Sequence, residues 1–422
     1  MARIPITARP DPDHLALTGL AEAGSADVVI VGGGPAGMLA GLLFARAGID
    51  VLVLEQHGDF LRDFRGDTVH PSTMEILSEL GMLDRFLARP HHRLNGAEID
   101  FNGTVLEIGD LSHLKTPAPF IAMMPQWDFL NFLKDEASAY PAFRLQMNAA
   151  VTGLTQAGGR ITGVTLSDGS AINARKVVIA ADGRGSIVRR GGFLPLEDLG
   201  APIDVFWFAV AKARAGSLLR ATIHGSTMLV QIDRGDYWQC ALILAKGQAD
   251  VIRSRGIEAF RRQVEEAAPV LGDLTAALPD FSEVKLLTVS LDRLTTWHRP
   301  GLLAIGDAAH AMSPVGGVGI NLAVQDAVCA ANVLAAPLRA GCNPDPLLGQ
   351  VQQRRMLPTR LIQAGQRAAH ERVLAPLLAG KIATARVPLA LRLLGAVPVL
   401  RRLPGRIIGL GFRREHVRSP LA

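Results

Sequence analysis

The sequence predicts an α/β protein, in which a parallel sheet with helical crossovers is interrupted by a mainly antiparallel sheet and followed by a helical region. Two observations carry that reading. At residues 27–54 a β-branched run, a glycine-rich turn, an uncharged helical run and a second apolar run follow one another. At residues 301–338 the order of buried strand, glycine-rich loop and helix returns.

In the first unit, Gly32, Gly34 and Gly37 stand at G-x-G-x-x-G spacing. Such glycines serve a tight turn, a close approach to a pyrophosphate and close helix–strand packing. Pro35 and Ala36 open the helix, whose free N–H groups and positive end suit a phosphate. Glu55, followed by Gln56, closes the second strand where a carboxylate can bind ribose hydroxyls. It would repel a 2′-phosphate, which favours FAD or NAD. Residues 28–45 carry no charge, but four glycines and a proline within residues 32–37 make a turn there, not a membrane span.

The 422 residues suffice for two or three domains, and 49% hydrophobic with 20% charged residues is ordinary for a soluble globular protein. Cys240, Cys329 and Cys342 show no metal spacing and read as small buried hydrophobes in a reducing cytoplasm; no metal site is expected. Residues 1–25 read as a loose extension without a signal peptide. The net charge of +5 is uneven, because residues 381–422 hold nine Lys/Arg and only Glu415 as acid. The basic balance therefore belongs to the tail and gives no argument for nucleic acid binding.

Taking the chain in order, residues 70–81 read as a helix capped by Ser72 or Thr73, with Arg65 in the glycine-containing loop before it. Asn102-Gly103 and Asp168-Gly169 mark hairpin turns. Residues 125–140 read as a helix, and residues 171–173 and 176–180 as strands. The last of these runs into Asp182-Gly183, at the carboxyl end of a strand, where α/β sheets bind ligands. Residues 202–244 are rich in strand signals, and Trp207, Tyr237 and Trp238 there could wall an apolar pocket. Gly306 and Asp307 end the second buried strand. Asp307 can bond a ribityl or ribose hydroxyl, and Pro314, Gly316, Gly317, Gly319 and Asn321 lead into a helix with a second positive pole.

These three segments, in this order, resemble the group A flavoprotein aromatic hydroxylases, the family of p-hydroxybenzoate hydroxylase and 2-polyprenylphenol hydroxylases. The resemblance spans roughly residues 26–340. It implies a Rossmann-like, discontinuous FAD-binding domain of the GR2 type at 26–95, 120–200 and 285–340. A substrate domain would take 96–119 and 201–284, and a helical basic region 341–422. It further implies that Gly32, Gly34, Gly37 and Glu55 hold the ADP half of FAD. Arg65 and Gln126 would lie near the flavin, Asp182 and Gly183 would serve both FAD and NAD(P)H, and Asp307 would hold the ribityl chain. Pro314, Gly317 and Gly319 would form the flavin-facing catalytic loop, with no side-chain acid or base. The implied reaction is hydroxylation of a phenolic, quinone-like or polyketide ring by NADPH or NADH and O2 through a flavin C4a-hydroperoxide.

The flavin-halogenase Trp-x-Trp-x-Ile-Pro motif is absent. His310, after Gly-Asp-Ala-Ala, reads as structural. The alternatives are a flavin dehydrogenase or reductase, for example of a prenyl lipid, and a flavin-binding protein without turnover. A monomer or homodimer is expected in the cytoplasm, with the basic tail either a solvated helical hairpin or a contact to an anionic membrane surface.

Overall fold

The computed structural model describes residues 22–61, 68–212, 219–381 and 387–422. The β-branched run at 27–31 is the inner part of strand Glu22–Val31, and β-branched side chains suit a strand buried on both faces. It pairs in parallel with Ala171–Ala180 on one side and Val51–Leu54 on the other. Leu302–Ala304 adds outside Ala171–Ala180, and Phe143–Gln146 outside Val51–Leu54. His298–Arg299, antiparallel to Leu302–Ala304 at the edge, and the hairpin Val151–Ala157/Arg160–Leu166 complete eight strands.

Residues 22–25, expected to belong to a loose extension, are part of the strand Glu22–Val31. The two runs expected at 171–173 and 176–180 are one continuous strand. Helices Pro35–Arg46 and Gly319–Arg339 cover one face together, with Gln126–Ala137 beside the first. Gly319–Arg339 is long and apolar enough to cross a membrane, but most of it is buried in this core.

A seven-stranded sheet gathers Ile203–Ala211, Leu219–His224, Thr227–Asp233, Tyr237–Ala245 and Lys285–Thr288 with the hairpin Gly96–Phe101/Thr104–Asp110. Lys285–Thr288 pairs with Ile203–Ala211, so the return to the first domain comes after residue 288 rather than at 285. Phe206, Phe208, Trp238, Cys240 and Leu242 point to one face and pack against helix Ile257–Ala267 through Phe260. Trp207, Val230, Ala241 and Ile243 point to the other.

Burial pushes the Cys329 thiol up to about 12, with Glu415 adding to it, and burial raises Cys240 further. Cys342 is exposed, against the expectation of three buried thiols. The tail forms two helices, Leu389–Ala396 and Pro398–Leu410. Pro404 sits within the second without ending it.

Candidate active site

Three of the sequence motifs meet at the carboxyl ends of the parallel strands. A Cβ on Gly32 would lie 2.5 Å from the Ala181 carbonyl oxygen, so the first turn rests on the Asp182 loop. A Cβ on Gly37 would lie 1.9 Å from the Gly32 carbonyl oxygen, which only glycine avoids. Gly306 fits between Ala36 and Ala323, joining the second loop to the first helix. Beside Gly34, Gly183 and Gly185 the space is open.

Glu55 is buried and accepts from the Gly33 N–H at 2.9 Å, so it braces the turn. Its other oxygen faces the His57 ring at 2.6 Å. Gln56 is exposed and Gln126 opens its helix. Arg65 lies outside the described residues. Asp182 accepts from the Ile187 N–H at 2.8 Å at the start of the short helix Ile187–Arg190, whose cap is Ser186. Burial raises the Asp182 carboxyl pKa against the pull of Ser186 and Ile187, and its second oxygen is buried without a partner. Arg184 ties this loop to Asp307 at 3.3 Å and to the Met312 carbonyl at 3.2 Å.

The loop at 313–318 is held from below. Ser313 bonds the His370 ring at 2.9 Å, and the Gln366 amide donates to the Ser313 and Val315 carbonyls. Gly316 and Gly317 have φ of 84° and 62°, a left-handed pair that favours glycine at both positions. Thr68 donates to the Gly317 carbonyl at 3.2 Å. Helix Gly319–Arg339 starts directly behind, three residues earlier than expected. Asn321 accepts from Thr73 at 2.8 Å, and its amide nitrogen is buried without a partner. That use of Thr73 corrects the capping expectation: helix Pro71–Glu79 is capped at His70, with no side-chain cap bond.

An orphan acceptor at Asp182, an orphan donor at Asn321, open space beside Gly34 and two helix N-termini fit a long ligand with a phosphate and polar ends. A dinucleotide has this form. A separate cleft of about 330 Å³ behind helix Ile257–Ala267 is lined by Ile252, Arg255, Phe260 and Glu266 and shares no residue with these loops. Among the described residues no group of three His, Cys, Asp or Glu side chains could hold a metal.

Below the second loop lies a charge cluster that sequence reasoning missed. Asp326 accepts from the Gly306 N–H at 3.1 Å, from His310 at 2.6 Å and from Arg355 at 2.9 Å. Burial raises the Asp326 carboxyl pKa, but the charges and bonds of His310 and Arg355 outweigh it and hold the group below the usual carboxylate range. Glu415 joins through Arg354 at 2.6 Å and Arg355 at 3.7 Å. His310 is thus bound into the core, with Trp297 against its ring.

His70 was likewise missed. Its Nδ1 bonds the Ile408 carbonyl of the second tail helix at 2.8 Å, and the ring lies beside Gly317. Burial lowers its pKa from 6.5 to about 4, against the Ile408 and Gly317 carbonyls. The folded pKa lies below the unfolded one, so the unfolded chain takes up the proton first. The stability this group confers is full above pH 6.5, falls as pH drops from 6.5 to 4, and is gone below that. At ~1.36 kcal/mol per unit the loss is roughly 3 kcal/mol. Urea unfolding between pH 7 and 4 is expected to show it, and His70→Asn to flatten the slope by that amount. An unchanged slope in the variant would clear His70.

The seven-stranded sheet turns its Trp207 face toward the loop, and Trp207 shares a cluster with Val315, Val289 and Leu374. Its indole N–H is buried without a partner. Tyr237 lies on the same face, four residues from Ala241, which pairs with Trp207. Trp238 is a correction to the expected pocket. It points to the opposite face, under the Lys212 ammonium, because neighbours in a strand alternate.

The sequence matches the family described as FAD binding domain over residues 25–364. It is 31% identical over 409 residues to the 6-methylpretetramide 4-monooxygenase of Streptomyces rimosus, covering 95% of this chain and 96% of that protein. It is 32% identical to the 12-dehydrotetracycline 5-monooxygenase/anhydrotetracycline 6-monooxygenase of the same species, covering 78% and 66%. Two solved structures share the fold. OxyS anhydrotetracycline hydroxylase from Streptomyces rimosus has a TM-score of 0.71, 24% identity and coverage of 91% and 76%. PqsL, a probable FAD-dependent monooxygenase from Pseudomonas aeruginosa, has 0.72, 22%, and 85% and 99%.

Proposed function

This chain belongs to the FAD binding domain family and is a FAD-dependent monooxygenase, and we propose that it hydroxylates a phenolic, quinone-like or polyketide ring with NADPH or NADH and O2. The observation that carries this reading is the apolar Trp207 face packed against the glycine loop at 313–318. A flat, apolar ring suits such a wall, and the relatives named for 6-methylpretetramide and for 12-dehydrotetracycline and anhydrotetracycline support a fused-ring substrate.

Bound FAD supplies the redox chemistry, in which two electrons from NAD(P)H and one O2 give a ring hydroxyl and water. The chain's own residues do the rest. Gly32, Gly34, Gly37 and Glu55 hold the adenosine and pyrophosphate end. Asp182, Gly183, Gly306 and Asp307 hold the middle. Gly316, Gly319 and Asn321 offer backbone N–H groups and a helix N-terminus to the ring end, where negative charge is stabilised, and Pro314 and Gly317 form the turn before them, in which the Gly317 N–H donates to the Pro314 carbonyl. Trp207 and its neighbours exclude water and give one N–H to orient a substrate oxygen.

The test is NADPH and NADH oxidation by flavin-loaded protein, with and without hydroxylated naphthacene-type compounds, under 18O2. An aromatic compound is expected to accelerate oxidation and to gain one labelled oxygen. If none accelerates flavin reduction and no labelled product forms, the hydroxylase reading falls and the dehydrogenase reading takes its place.

A further inference from the structure

The two tail helices are clamped on one side and left open on the other. On the inner side, glycines permit close contact. A Cβ on Gly405 would lie 1.9 Å from the Asp110 carbonyl oxygen, and one on Gly395 would lie 2.7 Å from Leu106. One on Gly409 would lie 2.8 Å from Leu114. Ile407 and Ile408 pack inward beside these, and Arg401 pairs with Glu107. The helices therefore cannot turn to bury their other side.

That other side is both apolar and cationic. In Leu389–Ala396 it carries Leu389, Arg392 and Leu393, and in Pro398–Leu410 it carries Val399, Arg402, Leu403 and Arg406. The spacing in each is i, i+3, i+4, one face of a helix. Leu389 is 70% exposed, Leu403 64% and Val399 63%. Residues 387–414 contain no acid. Aliphatic side chains interleaved with arginines match the boundary between acyl chains and negatively charged headgroups, where arginine stems lie along the apolar layer and the guanidinium reaches phosphate.

We propose that this face docks on an anionic lipid bilayer, with Leu389, Leu393, Val399 and Leu403 entering the headgroup boundary and Arg392, Arg402 and Arg406 meeting lipid phosphates. The helix that carries this face also reaches the active site from its inner side, because the Ile408 carbonyl holds His70 beside Gly317. A lipid surface would thus bring a lipophilic substrate to the substrate sheet. The proposal does not depend on which ring is hydroxylated.

Co-sedimentation of flavin-loaded protein with phosphatidylcholine vesicles, pure or with about a third phosphatidylglycerol, tests it. Binding is expected only to the anionic vesicles. Each of Arg392→Glu, Arg402→Glu and Arg406→Glu is expected to weaken it by roughly fivefold or more. Leu393→Asp with Leu403→Asp is expected to abolish it while flavin content and NADPH oxidation in solution persist. Equal binding to both vesicle types, none to either, or binding by the double aspartate variant equal to that of the wild type would overturn the proposal. So would a doubled mass by light scattering that the double variant halves, with no lipid binding, since a second copy would then cover the face.

Discussion

Gly34→Val is expected to give a folded, colourless protein, and Gly37→Val to give little folded protein at all. The two glycines stand three residues apart, and the fingerprint gives them different tasks. Gly34 has an extended backbone (φ −75°, ψ −176°) and nothing within 4 Å of a built Cβ, so valine costs the apoprotein little. The open space is where a bound pyrophosphate would meet the helix N-terminus, and two methyl groups there would displace it. Flavin affinity should fall on the order of a hundredfold or more, ~3 kcal/mol. At Gly37 the clash is with the chain's own Gly32 carbonyl, so the turn and helix must separate whether or not flavin is present. Flavin absorbance of the purified proteins and thermal melts with and without added FAD check both. A Gly34→Val protein that keeps stoichiometric flavin would remove the pyrophosphate from this position.

Asp326→Ala is expected to cost about 3–5 kcal/mol, because it leaves Arg355 charged and buried with its nearest partner gone. It also strips the acceptor from the Gly306 N–H, so the turn bearing Asp307 should loosen and FAD dissociate faster. The partial remedy is to remove both charges. Asp326→Leu with Arg355→Met should recover much of the stability, as apolar replacements of buried pairs do, yet recover less of the flavin affinity. Chemical unfolding and flavin dissociation kinetics separate the two effects. A cost below about 1 kcal/mol in the single variant would show that Glu415 alone satisfies Arg355.

The contrast between these two predictions marks what a reading of the chain could reach. Gly32–Gly37 and Gly306–Asp307 were legible because turn, strand and helix are local and a glycine leaves its mark within a few residues. The Asp326 cluster was not, because the loop with Gly306 and His310, the helix with Asp326, Arg355 and Glu415 are four segments far apart in the sequence. A lone Asp on an apolar helix shows only that something must neutralise it. The same holds for His70, whose partner Ile408 lies in the tail, and for the Gln366 and His370 supports of the loop. Trp238 failed for a different reason. Alternation puts Tyr237 and Trp238 on opposite faces, but only the strand register, which sets Trp207 opposite Ala241, and the packing of Phe260 decided which face was closed. Of the tail, the charge was readable, but the glycine contacts that aim its apolar side outward were not.

The order of strands in the main sheet also has a consequence in time. Val28–Val31 lies between Val51–Leu54 and Val177–Ala180, and the latter lies between it and Leu302–Ala304. During synthesis the first strand has only one neighbour until residue 180 has emerged, and the sheet's other side stays open until residue 304. The Ala422 N–H bonds the Arg46 carbonyl, so the end of the first helix meets that partner only after residue 422 has emerged. Parallel pairing across such distances is slow, and the waiting edge is apolar. Slowing translation should therefore do little for the yield of soluble protein, whereas a chaperone that shields the early strands should raise it.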